Sequence, residues 1–344
     1  MEVKVFLSTA SAVVFVMAIT LNAFLIYIVS TKTRNKIGVY KYMIISFALC
    51  NIAYSSTEFG AKPAIHIHGN SYMAYNTGFL ADVKPWDFLS LCLFIAMYGM
   101  STAVLALHFL YRYFLICRPT QMELFELPHV LLWAVPVLGW GCIYGFITFY
   151  CFSANEEFYS YAQYSVLEKL GRDIRDLSFF CVFTYEVVDG KTTIYWKPTL
   201  GLFAIVVMMI FTFAIMVVCG VKIVLQLRRV AMSTRTISIH KQLLRALITQ
   251  AVVPLLMSYT PRFLMFFFVI MGYPPLEIYA FVPLAVTCYT ILDPIAIIFF
   301  VHEYRGAVVK MVKRLVLVGH RREISDTVTE PRSHTLDMHH TNGH

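Results

Sequence analysis

Residues 198–221 read PTLGLFAIVVMMIFTFAIMVVCGV, a run of 24 residues without a single charge. A helix of that length matches the hydrocarbon core of a bilayer, which takes about 20 predominantly apolar residues at 1.5 Å each. It cannot be the one-sided core helix of a water-soluble domain. Six further runs share this character, over about 5–31, 41–65, 86–111, 130–152, 246–271 and 279–301. The expected fold class is therefore all-α, a seven-transmembrane helix bundle. Composition agrees: of 344 residues, 59% are hydrophobic and only 14% charged, against about 25% charged in a typical soluble domain.

The net charge of +8 is distributed by topology rather than as a nucleic-acid-binding patch. With the N-terminus outside, the inner segments hold 19 of the 28 Lys and Arg residues and the outer segments 8, while Arg262 lies within a span. The short inner stretches 30–41 and 222–245 contain no acidic residue, and short loops are where the positive-inside bias is strongest. The N-terminus is placed outside and the C-terminus inside. The first run is too long for a secretory signal, and its basic residues follow it rather than precede it. Most of the 8 cysteines fall inside spans, where cysteine is a small packing residue. Cys181 in the second outer loop is the best disulfide candidate, with Cys92 or Cys151 as partner.

That loop, about 153–197, carries Tyr164, Leu167, Leu170 and Ile174 at three- and four-residue spacing, which predicts a short amphipathic helix. Runs 179–188 and 192–196 flank Asp189-Gly190, a hairpin signal whose strands are expected to lie over the mouth of the bundle. After the seventh span, 303–318 sets Tyr304, Val308, Met311, Val312 and Leu315 against Arg305, Lys310, Lys313 and Arg314. This predicts an interfacial helix on the inner leaflet. Residues 1–318 then form the seven-helix domain and 319–344 a disordered cytoplasmic tail. Ser325, Thr327, Thr329, Ser333 and Thr335 in it are candidate phosphate acceptors.

Asn22 precedes Lys32 by ten residues, Asn51 follows Lys41 by ten, and Asp293 precedes His302 by nine. All three sit about 13–15 Å from the inner surface, and polar groups sharing one depth in hydrocarbon are expected to pair. The alternative is a protonated Asp293 that caps a helix restarting at Pro294, with the asparagines packed elsewhere. Arg112, at the inner end of the third span, follows His108 and stands between Tyr111 and Tyr113, whose rings could hold its guanidinium. Pro254 and Pro261 loosen the sixth span on one face. Arg262 beside them either snorkels outward, the preferred reading, or meets a ligand. A pocket for a small, largely apolar ligand is expected in the outer half. Its candidate residues are Phe94, Met97, Tyr98 and Ser101, Phe203 and Met208, Phe266 and Phe267, and Tyr279 and Thr287. The seventh span offers no Lys for a retinal Schiff base, and no phosphate loop or zinc-ligand spacing occurs. No cofactor, metal or enzymatic activity is expected.

Several stretches resemble the nematode serpentine chemoreceptors of the Str class. They are Gly38-Val39-Tyr40-Lys41-Tyr42-Met43, HFLYRYF over 108–114, Cys117-Arg118-Pro119, Leu127-Pro128, KQLLRAL over 241–247 with Gln250 and Pro254, and Leu292-Asp293-Pro294 leading to Glu303-Tyr304-Arg305. The likeness covers nearly all of 1–314. It implies a G-protein-coupled olfactory receptor for a small, volatile molecule, coupled to a heterotrimeric G protein in the plasma membrane of sensory cilia, with 1–318 as the receptor domain and arrestin-type or trafficking proteins as candidate further partners. Arg112 would stand where rhodopsin-like receptors keep the Arg of Asp-Arg-Tyr, and Asp293-Pro294 where they keep Asn-Pro. Tyr111 replaces the acid that restrains that Arg, and no Tyr follows Pro294 at the usual distance. The rivals are an odorant-gated ion channel and, more distantly, a small-molecule transporter, which would expect a polar pore or broken helices at mid-membrane.

Overall fold

The computed structural model describes residues 2–32, 40–126, 129–229, 234–273 and 281–328. The chain opens with α1 (Glu2–Lys32) and α2 (Tyr40–Ala61). α2 stops four residues short of the expected 65. Lys62 takes a left-handed φ of 39° and precedes Pro63, a position that disfavours helix. The chain turns instead into a hairpin, β1 (Pro63–His68) and β2 (Ser71–Asn76), through Gly69 and Asn70. α3 (Trp86–Cys117) runs six residues past the expected end and breaks at Arg118, again the residue before a proline. A 3₁₀ turn over His129–Trp133 leads into α4 (Ala134–Cys151).

The second outer loop folds into α5 (Glu156–Leu170) and strands β3 (Phe179–Phe183), β4 (Tyr185–Val188) and β5 (Lys191–Ile194). α6 (Trp196–Arg229) follows. The sixth span is built from α7 (Thr234–Pro254), a π turn over Leu255–Tyr259 and α8 (Thr260–Ile270). α9 (Val282–Phe300) and α10 (His302–Val328) complete the chain. Among the described residues six spans are long and apolar enough to cross a membrane. α2 is the seventh helix of the bundle, less apolar because Asn51, Ser55 and Glu58 are buried within it.

α3 is the central helix, packing on α2, α4 and α6. Its approach to α4 depends on glycine: a Cβ on Gly99 would lie 2.6 Å from the Tyr144 ring, and one on Gly141 2.9 Å from the Ala96 carbonyl. α10 continues past the expected boundary at 318, so residues 319–328 are helical rather than disordered. Residues 329–344, with three of the candidate phosphate acceptors, lie outside the described residues.

The outer end carries more structure than the sequence reading assigned. Within its own loop β3 makes only an isolated bridge, Phe180 to Ser153. It joins β2 of the first outer loop, giving an antiparallel sheet ordered β1-β2-β3. The Asp189-Gly190 turn does close a hairpin, with φ of 51° and 76° as a two-residue primed turn requires. That hairpin is β4-β5, whose second strand is fully exposed; the roof is the three-stranded sheet. β3 is buried on both faces. Phe180 and Val182 join the bundle core, while Phe179, Cys181 and Phe183 pack under α5.

This alternation corrects the disulfide expectation. Cys92, Cys151 and Cys181 are all free, because Cys181 points to the α5 side while Cys151 packs in the bundle against Gly201 of α6. The face of α5 is also corrected. Phe158, Ala162, Ser165 and Val166 are buried, whereas Tyr164 is 76% exposed and Leu167 57%. Asn155 caps this helix by accepting from the Phe158 N–H, and Gly171 ends it at φ 66°.

Two expectations test this roof. The Cys181 N–H donates to the Phe152 carbonyl, away from β2, so Met73 and Cys181 form a non-hydrogen-bonded cross-strand pair. Their Cα atoms are then about 4.5 Å apart, within disulfide range. Met73→Cys should cross-link to Cys181 under mild oxidation, giving a non-reduced proteolytic fragment that joins the two loops. Failure to link would mean a different register. His66 of β1 is buried against the Ser165 hydroxyl, 3.2 Å from its Nε2. Burial, with Lys169 and His68 adding to it, pushes its imidazole down to about 4. Between pH ~6.5 and 4 the unfolded loop therefore binds a proton that the folded one does not, and roof stability is lost as pH falls through that window. Hydrogen exchange of the β1–β3 amides, corrected for intrinsic rate, should be faster at pH 5 than at pH 7, and His66→Gln should flatten that difference.

Candidate functional site

Pro294 sits inside an unbroken α9 rather than at a restart, so Asp293 does not cap a helix. A proline there removes the N–H that would have bonded the Thr290 carbonyl. Asn22 takes that donor's place: its Nδ2 donates to the Thr290 carbonyl at 2.9 Å and to the Ala18 carbonyl at 2.8 Å. Asn51 Nδ2 reaches Asn22 Oδ1 at 3.4 Å and Asp293 Oδ2 at 3.3 Å. Ser55 adds a hydroxyl bond to Thr290 at 3.1 Å. Helices α1, α2 and α9 are thus tied at one buried layer, and its three principal side chains are each at most 1% exposed.

Below this layer, Arg112 is 2% exposed. Its guanidinium lies 3.9 Å from the ring centroid of Tyr40 at the start of α2. Tyr40 in turn stacks on Tyr111, centroids 5.7 Å apart. Nε and Nη2 of Arg112 have no hydrogen-bond partner among the described residues. Tyr111 thus acts through Tyr40, which the sequence reading missed. Tyr113 is not part of this stack; it packs toward α6, with the Lys222 ammonium 5.5 Å from its ring. His108 Nε2 donates to the Met43 carbonyl at 2.9 Å and packs beside Phe47 and Tyr40. Pro254 opens the π turn, where the Thr260 N–H reaches back five residues to the Leu255 carbonyl.

At the outer end the bundle encloses a cavity of about 300 Å³ between α3, α4, α6, α8 and the start of α9, roofed by Tyr72, Ala74, Phe180 and Val182 of the sheet. That volume is at the small end for ligand sites. Of the candidates, Phe94, Tyr98, Phe266 and Phe267 line it. Met97, Ser101, Met208 and Thr287 do not. Ser101 donates to the Met97 carbonyl and contacts Cys50 Sγ, and Thr287 donates to the Pro283 carbonyl. Phe203 is 66% exposed and does not line it; on α6, Leu202, Ile205, Val206 and Met209 face the cavity instead. Tyr279 lies outside the described residues. Ile210, Phe263 and Phe267 line the cavity and are also exposed on the flank between α6 and α8.

Arg262 corrects the snorkelling preference. It lines the cavity, with its guanidinium 4.2 Å from the ring centroid of Tyr98. Tyr98 is packed edge-on by Tyr144 and Tyr259, and Tyr72 of the roof packs edge-on to Phe266. Tyr72 and Tyr144 were missed because one lies on an unrecognised strand and the other on a helix apolar all round. The charge inside a span already marks Arg262 in the sequence, with contact to a ligand as its second reading.

A family model described as the serpentine type 7TM GPCR chemoreceptor Str matches residues 7–309. The chain belongs to the Str family of serpentine chemoreceptors. Among its relatives, serpentine receptor class r-10 of Caenorhabditis elegans is 29% identical over 87% of this chain and 89% of the relative. G-protein coupled receptor str-33 of the same nematode is 24% identical over 74% and 76%. Serpentine receptor class J-38 is 24% identical over 84% and 88%. This chain is accordingly a multi-pass membrane receptor of the serpentine type, and its family is one of receptors rather than enzymes.

A double substitution tests the buried layer of this Str receptor. Asn22→Ala leaves the Thr290 carbonyl unpaired and should cost about 1–3 kcal/mol, read as a lower Tm of the purified protein. Adding Pro294→Ala returns an N–H to that carbonyl and should recover part of the loss. If the double variant is no more stable than Asn22→Ala, Asn22 is not serving that carbonyl.

Proposed function

We propose that this Str receptor binds a small, largely apolar molecule in the outer cavity and thereby activates a heterotrimeric G protein at its inner face. An olfactory role in the plasma membrane of sensory cilia accords with the family. The observation carrying the proposal is continuity. The helices that line the cavity, α3 and α8, are the same spans that hold Arg112 and the Pro254 π turn nearer the inner face.

A ligand against Tyr98 and Phe266 bears on α8 just above a turn already short of regular hydrogen bonds, where a helix bends at low cost. Movement there would displace α7 at the inner end and offer Arg112 new partners. The restraint to be overcome is small. A buried cation–π contact is worth about 0.5–2 kcal/mol, whereas breaking a buried ion pair costs about 3–5 kcal/mol. A ligand shifts such an equilibrium by its differential affinity for the two conformers. A modest preference therefore suffices here.

Removing Tyr40's ring should raise basal output. Tyr40→Ala, normalised to surface expression, is expected to increase ligand-independent second-messenger signal about 5-fold, the equivalent of about 1 kcal/mol. Arg112→Ala should keep ligand binding and lose the G-protein response. Recording current in cells with and without a Gα subunit sets this against the channel alternative: a ligand-evoked current that survives without any Gα would defeat the proposal.

A further inference from the structure

Arg262 is a permanent cation in a cavity otherwise lined by hydrocarbon and aromatic side chains and by Thr148. No carboxylate lies within ion-pair distance of it among the described residues. The ion pairs there are Arg172–Asp82 and Arg175–Glu156, both in the outer loops. The buried acids Glu58, Asp87 and Asp293 are thus also beyond that distance. What surrounds the guanidinium is tyrosine: the Tyr98 ring at 4.2 Å, the neutral hydroxyls of Tyr54 and Tyr98 as hydrogen-bonding neighbours, and Tyr72 and Tyr289 further out. Aromatic faces offset only part of the cost of a charge taken out of water. The cavity is therefore complementary to a single negative charge that the protein itself does not supply.

We propose that the ligand is an organic monocarboxylate with a short apolar body, its carboxylate held bidentately by Arg262 and its chain against Phe94, Tyr98 and Phe266. The planar guanidinium fork matches a carboxylate in two parallel N–H···O bonds. A phosphate or other dianion would carry a second charge that one arginine leaves uncompensated in a low-dielectric site. The inference rests on the reading of the outer cavity as the ligand site, and it adds the chemical class of what enters.

The test uses the purified full-length receptor in lipid nanodiscs, with thermal shift as the binding readout and second-messenger output in cells alongside. The probes are propanoate, butanoate and hexanoate, each paired with its primary alcohol and its methyl ester. At least one acid should bind 10-fold or more tightly than its neutral partners. Arg262→Gln should weaken that acid about 10- to 100-fold and leave the alcohol unchanged, while Arg262→Lys, which keeps the charge, should retain part of the binding. Equal binding of acids and neutral partners, an Arg262→Gln variant that binds acid normally, or no shift with any acid would each overturn the carboxylate assignment. In the first two cases the receptor reading survives. Conversely, Arg262-dependent acid binding without any G-protein output would sustain the assignment and defeat the signalling proposal.

Discussion

Hydrocarbon supplies no hydrogen bonds, so each backbone group that a proline strips of its partner must find another inside the protein. Much of this receptor's organisation follows from that constraint. At Pro294 the orphaned carbonyl belongs to Thr290, and Asn22 crosses from the first helix to serve it. Asn51 then bridges Asn22 to Asp293, drawing in the second helix. In the sixth span the change is local. The turn after Pro254 widens, and the Thr260 N–H and hydroxyl both donate to the Leu255 carbonyl. Pro294 is bridged by cross-linking three helices, whereas Pro254 is followed by a loosened turn. Rigidity on one side of the bundle and compliance on the other have the same origin.

Both arginines lying against bundle tyrosines are held by ring faces rather than by carboxylates. Arg112 rests on Tyr40 and Arg262 on Tyr98. A ring partner gives up a cation more readily than an acid does. At the inner end this suits a group that must change partners. At the outer end it leaves a cation available to something from outside.

Hydropathy located the helices because the membrane demands length and little else. Depth counted from the flanking charges brought Asn22, Asn51 and Asp293 to one layer without any structural knowledge. The readings that failed share a cause, which is that lipid-facing helices have no polar side. α6 is apolar all round, so nothing in its residues separates Leu202, on the cavity, from Phe203 one step away and exposed. The first outer hairpin was lost for a related reason: Ala64 and Ile65 extend an apolar run, and only Lys62-Pro63 marks its end. Tyr40 could not be foreseen as the partner of Arg112, because that contact joins residues 72 positions apart on different helices.

The window between α6 and α8, where Ile210, Phe263 and Phe267 face both the cavity and the flank, opens toward the bilayer while the sheet covers the outer face. A ligand of the proposed kind that took this route would enter as the neutral acid, since its carboxylate anion stays in water. Its local abundance in the lipid would be the aqueous level of that neutral form multiplied by its oil–water partition coefficient. Sensitivity would track solubility in fat as much as fit to the cavity walls, and the lipid would keep releasing a stimulus after the surrounding water had been cleared.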